Sequence, residues 1–86
     1  MNNERRQLLR SVLEKIESLD NLKEKIVDLL STAVDEEQEA FDNLPEGLQM
    51  SERGERMEEI IDLLESARDT YEEIEFETSD IEDAIS

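Results

Sequence analysis

The chain has 86 residues, with 26 Asp and Glu against 9 Lys and Arg, which gives a formal net charge of −17. Such a charge repels nucleic acid and anionic membranes and attracts basic protein surfaces, so we expect no direct contact with nucleic acid or membrane. The absence of Cys and His excludes disulfides and thiolate metal sites and removes the usual zinc ligand and neutral-pH general base. With 3% aromatic residues, two Gly and one Pro, the composition predicts a single small helical domain over residues 1–86.

No apolar run approaches the roughly 18 residues that a membrane span needs, and the first residues are polar and lack a signal-like apolar core. We therefore expect a cytoplasmic protein. The residue types present suggest no cofactor and no metal ion.

The first segment is predicted to form one helix over about residues 3–42. Apolar residues recur there at alternating steps of three and four, which keeps them on one face of a helix. Asn21 with Glu24 is a plausible capping box that could interrupt the helix at Asp20, but the apolar register runs through unchanged. The predicted a and d positions are Leu9, Val12, Ile16, Leu19, Lys23, Ile26, Leu30, Ala33, Glu37 and Ala40.

The apolar stripe of this helix is wider than one seam. The flanking apolar residues are Leu8, Leu22 and Leu29 on one side and Leu13, Val27, Val34 and Phe41 on the other. A stripe of this width indicates packing against more than one neighbouring helix.

A turn is predicted over about residues 43–50, which contain Pro45 and Gly47. Asn43 could cap a short helical turn that Pro45 opens. Ser51 is a second candidate cap, although Gly54 occupies a position where a better helix former is expected.

The second segment predicts a helix over about residues 51–85. Its seam is Met57, Ile60, Leu64, Ala67, Tyr71, Ile74, Thr78, Ile81 and Ile85. The unbroken register favours one continuous helix. The alternative is a break near residues 77–80, with Ser79 as a cap and Glu82 three residues later. In the continuous register Phe76 falls on the outer face.

Two helices joined by a short turn predict an all-α antiparallel helical hairpin, or coiled coil. Because a lone hairpin leaves the apolar flanks uncovered, we expect a homodimer that forms a four-helix bundle. The expected oligomer seam comprises Ile16, Leu19, Ile26, Leu30, Ile60, Leu64, Tyr71 and Ile74. The hairpin is also expected to bring two charged groups together, Arg5, Arg6, Arg10 and Lys15 with Glu75, Glu77, Glu82 and Asp83.

The acids are concentrated in the second half, since residues 44–86 carry 15 acids and 3 bases, net −12, against 11 acids and 6 bases, net −5, in residues 1–43. We define a predicted acidic ridge on the outer positions of the second helix as Glu58, Glu59, Asp62, Glu65, Asp69, Glu72, Glu73, Asp80 and Asp83. Acids one turn apart lie about 5–6 Å from each other, similar to phosphates along a DNA strand. The ridge could therefore occupy the basic channel of a nucleic-acid-binding protein. The alternative is a solvated face that keeps a small coiled coil soluble.

A second acidic pattern pairs Glu36-x-x-Glu39 with Glu59-x-x-Asp62. Acids three residues apart share a helix face, and facing pairs on two helices can hold magnesium. These four residues resemble the acidic motif of all-α nucleotide pyrophosphatases of the MazG type. Such spacing also arises by chance in so acidic a chain, and basic residues for a triphosphate are not obvious. The pyrophosphatase stays a remote alternative.

The turn carries a further resemblance. The stretch from Asn43 to Glu55 contains Asn-Leu-Pro-Glu, then Leu-Gln, then Ser-Glu-Arg-Gly-Glu, and Leu64-Glu65-Ser66-Ala67 follows. It resembles a group of small acidic helical proteins of phages and prophages without a settled activity. The resemblance covers roughly residues 36–70 and implies a phage origin and a helical architecture. It also favours action on a host protein, and a phage-encoded protein is expected in the host cytoplasm.

The predicted function is that of a non-enzymatic interaction protein. Its partner is a basic host protein surface, and its action resembles that of anti-CRISPR or anti-restriction inhibitors that imitate nucleic acid. The alternative is a structural coiled-coil oligomerisation protein.

Overall fold

The computed structural model describes residues 1–86 and contains four helices. They are α1 (Asn3–Asp42), α2 (Glu46–Gln49), α3 (Glu52–Glu72) and α4 (Ser79–Ile85). α3 packs along α1, α2 packs against α3 at the turn, and α4 returns to α1. The molecule measures 70 × 15 × 13 Å. The prediction of an all-α protein is confirmed, and the elongated shape agrees with a helical hairpin.

α1 begins and ends at residues whose hydrogen bonds satisfy the helix termini. The side chain of Asn2 accepts a hydrogen bond from the backbone N–H of Arg5 at 2.9 Å, which satisfies one of the free donors of the first turn. At the other end, the backbone N–H of Asn43 donates to the carbonyl oxygen of Glu39 at 3.0 Å. The helix runs through Asp20 without interruption.

The turn contains the short helix α2, which follows Pro45. Asn43 is the C-terminal cap of α1 and does not cap α2, which has no side-chain cap. The amide Nε2 of Gln49 donates to the carbonyl oxygen of Phe41 at 3.0 Å. This bond ties the end of α2 to the end of α1.

Gly54 is required where α3 starts. Ser51 is the N-cap of α3, and its side chain accepts from the backbone N–H of Gly54 at 3.4 Å. A Cβ atom added to Gly54 would overlap the carbonyl oxygen of Gln49 and lie 2.7 Å from its Cα. The sequence interpretation of Gly54 as a weak helix former missed this close approach of two backbones.

The continuous helix over residues 51–85 is wrong. α3 ends at Glu72 with Glu73 as its cap, and residues 74–78 are not helical. The break therefore starts earlier than residues 77–80. Acids near a helix C-terminus face the negative end of the helix dipole, and no basic residue lies in the last turn of α3 to offset them.

The break also turns Phe76 inward, whereas the continuous register would place it on the outer face. Phe76 is half-buried in a cleft that Leu13 and Ile16 of α1 also line. Burial of an aromatic side chain against two aliphatic ones favours the broken conformation.

Glu77 holds the start of α4. Its Oε1 accepts a hydrogen bond from the backbone N–H of Ser79 at 2.8 Å and another from the Ser79 hydroxyl. The residue at the N-cap position, Thr78, makes no side-chain cap bond. The predicted cap is therefore wrong, because Ser79 is the first residue of α4 and donates both hydrogen bonds to the Glu77 carboxylate.

The predicted register of α1 is wrong at alternate positions. Val12, Leu19 and Ile26, which the apolar pattern assigns to the seam, are exposed. The residues next to them in sequence, Leu13 and Val27, are half-buried. Both series repeat at steps of three and four, so the local pattern cannot decide which one meets α3.

Candidate protein-binding surfaces

The inward residues of α1 and α3 set the two remaining surfaces of the hairpin. On α1 the inward series includes Leu13, Val27 and Val34, and on α3 it includes Ile61 and Leu64. Consecutive residues of an α-helix are rotated by about 100° around its axis. Residues that precede the inward series therefore lie on one flank, and those that follow it lie on the other.

The preceding positions form the apolar face. Its large side chains are 41% to 71% exposed. They are Leu8, Val12, Leu19, Leu22, Ile26 and Leu29 of α1 and Leu63 and Tyr71 of α3. Three residues of the predicted oligomer seam, Leu19, Ile26 and Tyr71, belong to it, and a fourth, Ile74, is exposed in the non-helical segment after α3. The other four, Ile16, Leu30, Ile60 and Leu64, are half-buried.

The stripes of α1 and α3 lie on the same side of the hairpin. In both helices the exposed apolar residues come one position before the inward residues. The two helices run in opposite directions, which reverses the side to which this offset points, and they also face each other, which reverses it again. The exposed apolar residues of α1 and α3 therefore lie on the same side and form one continuous surface.

The following positions form the acidic face. We define it by the acids that line the clefts between the helices, namely Glu17, Asp20, Glu24 and Asp28 of α1, Glu58, Asp62 and Glu72 of α3, and Glu82 of α4. One cleft of about 350 Å³ holds Glu17, Asp20 and Glu82 beside Phe76. A second holds Glu24, Asp28 and Glu72.

The predicted acidic ridge is only partly retained. Glu58, Asp62 and Glu72 lie on the acidic face. Of the other six, Glu65 is half-buried and Glu73 is the C-cap of α3. Glu59 and Asp69 are in ion pairs on α3, and Asp80 and Asp83 of α4 line none of the three clefts.

The predicted acidic ridge contains no acid of α1, although α1 contributes four acids to the acidic face. A sequence signal for them exists, because Glu14, Glu17, Glu24, Asp28 and Asp35 each follow an inward residue by one position. The signal appears only when the inward series of α1 is assigned correctly.

Few cations neutralise the acidic face from within the protein. The only ion pairs are Arg56–Glu59 at 2.9 Å and Arg68–Asp69 at 3.6 Å, both between neighbours on α3. Lys23 lines the second cleft, but its Nζ donates to the carbonyl oxygen of Ile74 at 2.7 Å. The lysine thus satisfies backbone near the end of α3 and forms no ion pair.

The expected pairing of the N-terminal cations with the C-terminal acids is wrong. None of Arg5, Arg6, Arg10 and Lys15 lies within ion-pair distance of an acid. The break after α3 redirects the acidic segment, so Glu77 bonds Ser79 instead. These hydrogen bonds from the Ser79 hydroxyl and backbone lower the pKa of Glu77 below its ordinary value of 4.5.

No group of three or more acidic side chains converges closely enough to hold a metal ion. The pairs Glu36–Glu39 and Glu59–Asp62 therefore do not assemble the four-carboxylate site that the pyrophosphatase resemblance requires. Glu59 is instead bonded to Arg56.

Comparison with protein-family models, with curated proteins and with solved structures finds no match to the chain. None of the helices is both long and apolar enough to cross a membrane.

Proposed function

We propose that the protein is a non-enzymatic binding protein whose acidic face occupies a basic surface of another protein, in place of nucleic acid. One observation carries the proposal. Acids from α1, α3 and α4 line the same side of the hairpin, and none of them is in an ion pair within the protein. A carboxylate without an internal partner is free to meet an external Lys or Arg.

The dimensions suit imitation of a nucleic acid. The molecule is 70 Å long, the length of about 20 base pairs at 3.4 Å each. Acids one helical turn apart repeat about every 5–6 Å, similar to successive phosphates. A basic channel that accepts the protein gains the electrostatic attraction that nucleic acid provides there.

The turn sequence supports a target in a host cell. Its resemblance to small acidic proteins of phages suggests an inhibitor of a host DNA- or RNA-binding protein, of the anti-CRISPR or anti-restriction kind. The experiment below therefore uses nucleic-acid-binding proteins of bacteria.

The test is displacement of a fluorescent 20-base-pair duplex, or an RNA of equal length, from a panel of purified bacterial nucleic-acid-binding proteins. The test variant combines Glu24→Gln, Asp28→Asn and Glu72→Gln, which neutralises one cleft. The matched control combines Glu4→Gln, Glu36→Gln and Glu46→Gln, three exposed acids outside the acidic face. Both variants change the net charge by the same amount.

We expect at least one panel protein to be displaced by the natural chain, about tenfold less by the cleft variant and almost normally by the control. Raising salt should weaken the interaction steeply. If both variants lost displacement equally, the effect would come from net charge alone and the acidic face would not be the binding site. No displacement across the panel would remove the mimic proposal.

The apolar face favours a second candidate function, that of a structural coiled-coil oligomerisation protein whose partner is another helix. Eight large apolar side chains of α1 and α3 are exposed along one side of the hairpin, where a helix of another chain could cover them. Binding by this face should resist salt, whereas binding by the acidic face should not. The two candidates use different surfaces and are separable by variants of one surface at a time.

A further inference from the structure

We propose that a second copy of the chain covers the apolar face, so that two hairpins pack face to face with both acidic faces outward. The surface is distinct from the acidic face, and the inference does not depend on binding to a basic partner. The occupant follows from the continuity, the charge distribution and the shape of the face.

The exposed apolar side chains form one stretch and are not scattered singly over the surface. Only Val34, Gly54 and Ile61 are buried in the isolated hairpin. The eight large side chains of the apolar face are 41% to 71% exposed and lie along one side of α1 and α3. A contiguous apolar stretch of this kind is typical of a surface that another protein covers.

The charge distribution selects a copy that approaches with the same face. At a net charge of −17, two copies repel each other in most orientations. Among the positions of the α1 stripe only Lys15 is charged, whereas the acids line the opposite side. Pairing through the α1 stripes therefore brings two copies together without burying a carboxylate of α1. On α3, Glu59 lies one turn before Leu63 and is paired with Arg56.

The shape of the face also suits self-pairing. From Leu8 to Leu29 the α1 stripe is about 32 Å long at 1.5 Å per residue, and it follows one side of a straight rod. A two-fold symmetric contact uses the same patch on both copies. Such a contact matches the stripe along its full length and closes after two copies, which gives a four-helix bundle.

The experiment is sedimentation equilibrium of the full chain over a range of concentrations that reaches about 100 µM, where a contact of micromolar affinity is saturated. The monomer mass is 10.0 kDa. The first test variant combines Leu22→Gln and Leu29→Gln on α1, and the second is Leu63→Gln on α3. Met50→Gln is the control, because Met50 is 80% exposed but lies at the turn, off the apolar face. Circular dichroism verifies that each variant keeps its helix content.

We expect the natural chain and the Met50→Gln control to reach the dimer mass. Both face variants should dissociate at least about tenfold more readily, because each removes apolar contacts without disturbing the hairpin interior. Added salt should strengthen the dimer by screening the repulsion between two acidic chains. This sign is opposite to that expected for binding through the acidic face, so the failure of one proposal is distinguishable from the failure of the other.

Three results would overturn the inference. The first is a natural chain that stays monomeric at every concentration and salt. The second is a dimer that both face variants leave intact. The third is open-ended growth beyond two copies, since face-to-face pairing leaves no apolar face free to add a third.

Discussion

The two ends of the hairpin differ in how tightly they are held. At the turn end, Val34 and Ile61 are each only 6% exposed, and Gly54 lets α3 approach the end of α2. At the open end, where α4 and residues 74–78 meet the first half of α1, no residue is fully buried. Because side-chain burial and a close backbone approach are both found at the turn end, we expect that end to be the more stable one, even though the heptads are regular along both helices.

We expect the two ends of the hairpin to open at different free energies. Segments with few buried contacts open at a lower free energy than the whole molecule does. The open end, with Phe76 half-buried in a cleft, should open by itself. The turn end should open only when the molecule unfolds.

The largest effect is expected from Ile61→Ala. Removing a buried aliphatic side chain leaves a cavity, and at this site we expect a loss of about 2–3 kcal/mol in the free energy of unfolding. Urea unfolding followed by circular dichroism measures it. The control Met50→Ala changes an exposed residue of the turn and should stay within about 0.5 kcal/mol. A small effect of Ile61→Ala would contradict the assignment of the turn end as the tight end.

A slightly smaller effect is expected from Gly54→Ala. The added Cβ meets the backbone of Gln49, so the two segments must separate, at a cost of about 2 kcal/mol after the gain in helix propensity. The matched control is Gly47→Ala in α2, where nothing lies within 4 Å of the added atom. That control should be neutral or stabilising by up to about 1 kcal/mol. Thermal unfolding of both variants compares them, and equal shifts would show that the close approach at Gly54 is not limiting.

Phe76→Ala addresses the open end. We expect a loss of about 1–2 kcal/mol, because the side chain is only half-buried. Hydrogen exchange should show faster exchange of the α4 amides and little change around Ile61. The neighbouring exposed change Glu75→Gln serves as the control. A uniform increase in exchange along α3 would mean that the two ends unfold together.

The smallest effect concerns Glu77. Its pKa is lowered by hydrogen bonds from Ser79, so its support of α4 is fully present above the ordinary value of 4.5 and is lost as the pH falls through the lowered pKa. Carboxyl carbon shifts in an NMR titration should give a pKa below 4.5 in the natural chain. In Ser79→Ala the pKa should rise toward its ordinary value. An unchanged pKa in that variant would rule out the hydroxyl as the main cause.

The sequence predicted the helical class and the extent of α1 because these depend on local signals. The alternating apolar steps and the polar residues at both ends lie within the segment itself. The break after α3 was harder to predict, since the heptads continue through Ile74 and Ile81. The break places Phe76 in the same cleft as Leu13 and Ile16, which are about 60 residues away in the chain, so no local signal reports it.

The two faces could be predicted only in part for a similar reason. α1 carries two adjacent apolar series, and periodicity alone fits Val12 and Leu13 to the seam equally well. The choice between them depends on α3. Once Leu13 and Val27 are placed inward, the positions of Leu22 on the apolar face and Asp28 on the acidic face follow from helix geometry alone.

The thinness of the rod has a consequence for how such a sequence can change over generations. With three buried residues among 86, few positions demand a particular side chain for folding. Most substitutions that keep an aliphatic residue aliphatic, or an acid acidic, should preserve the hairpin. Selection would then act on the order of residue classes along the chain more than on their identities. Related sequences could keep the shape and both faces of this protein while most of their residues differ from it. Gly54 and the residues around it should be among the last to change.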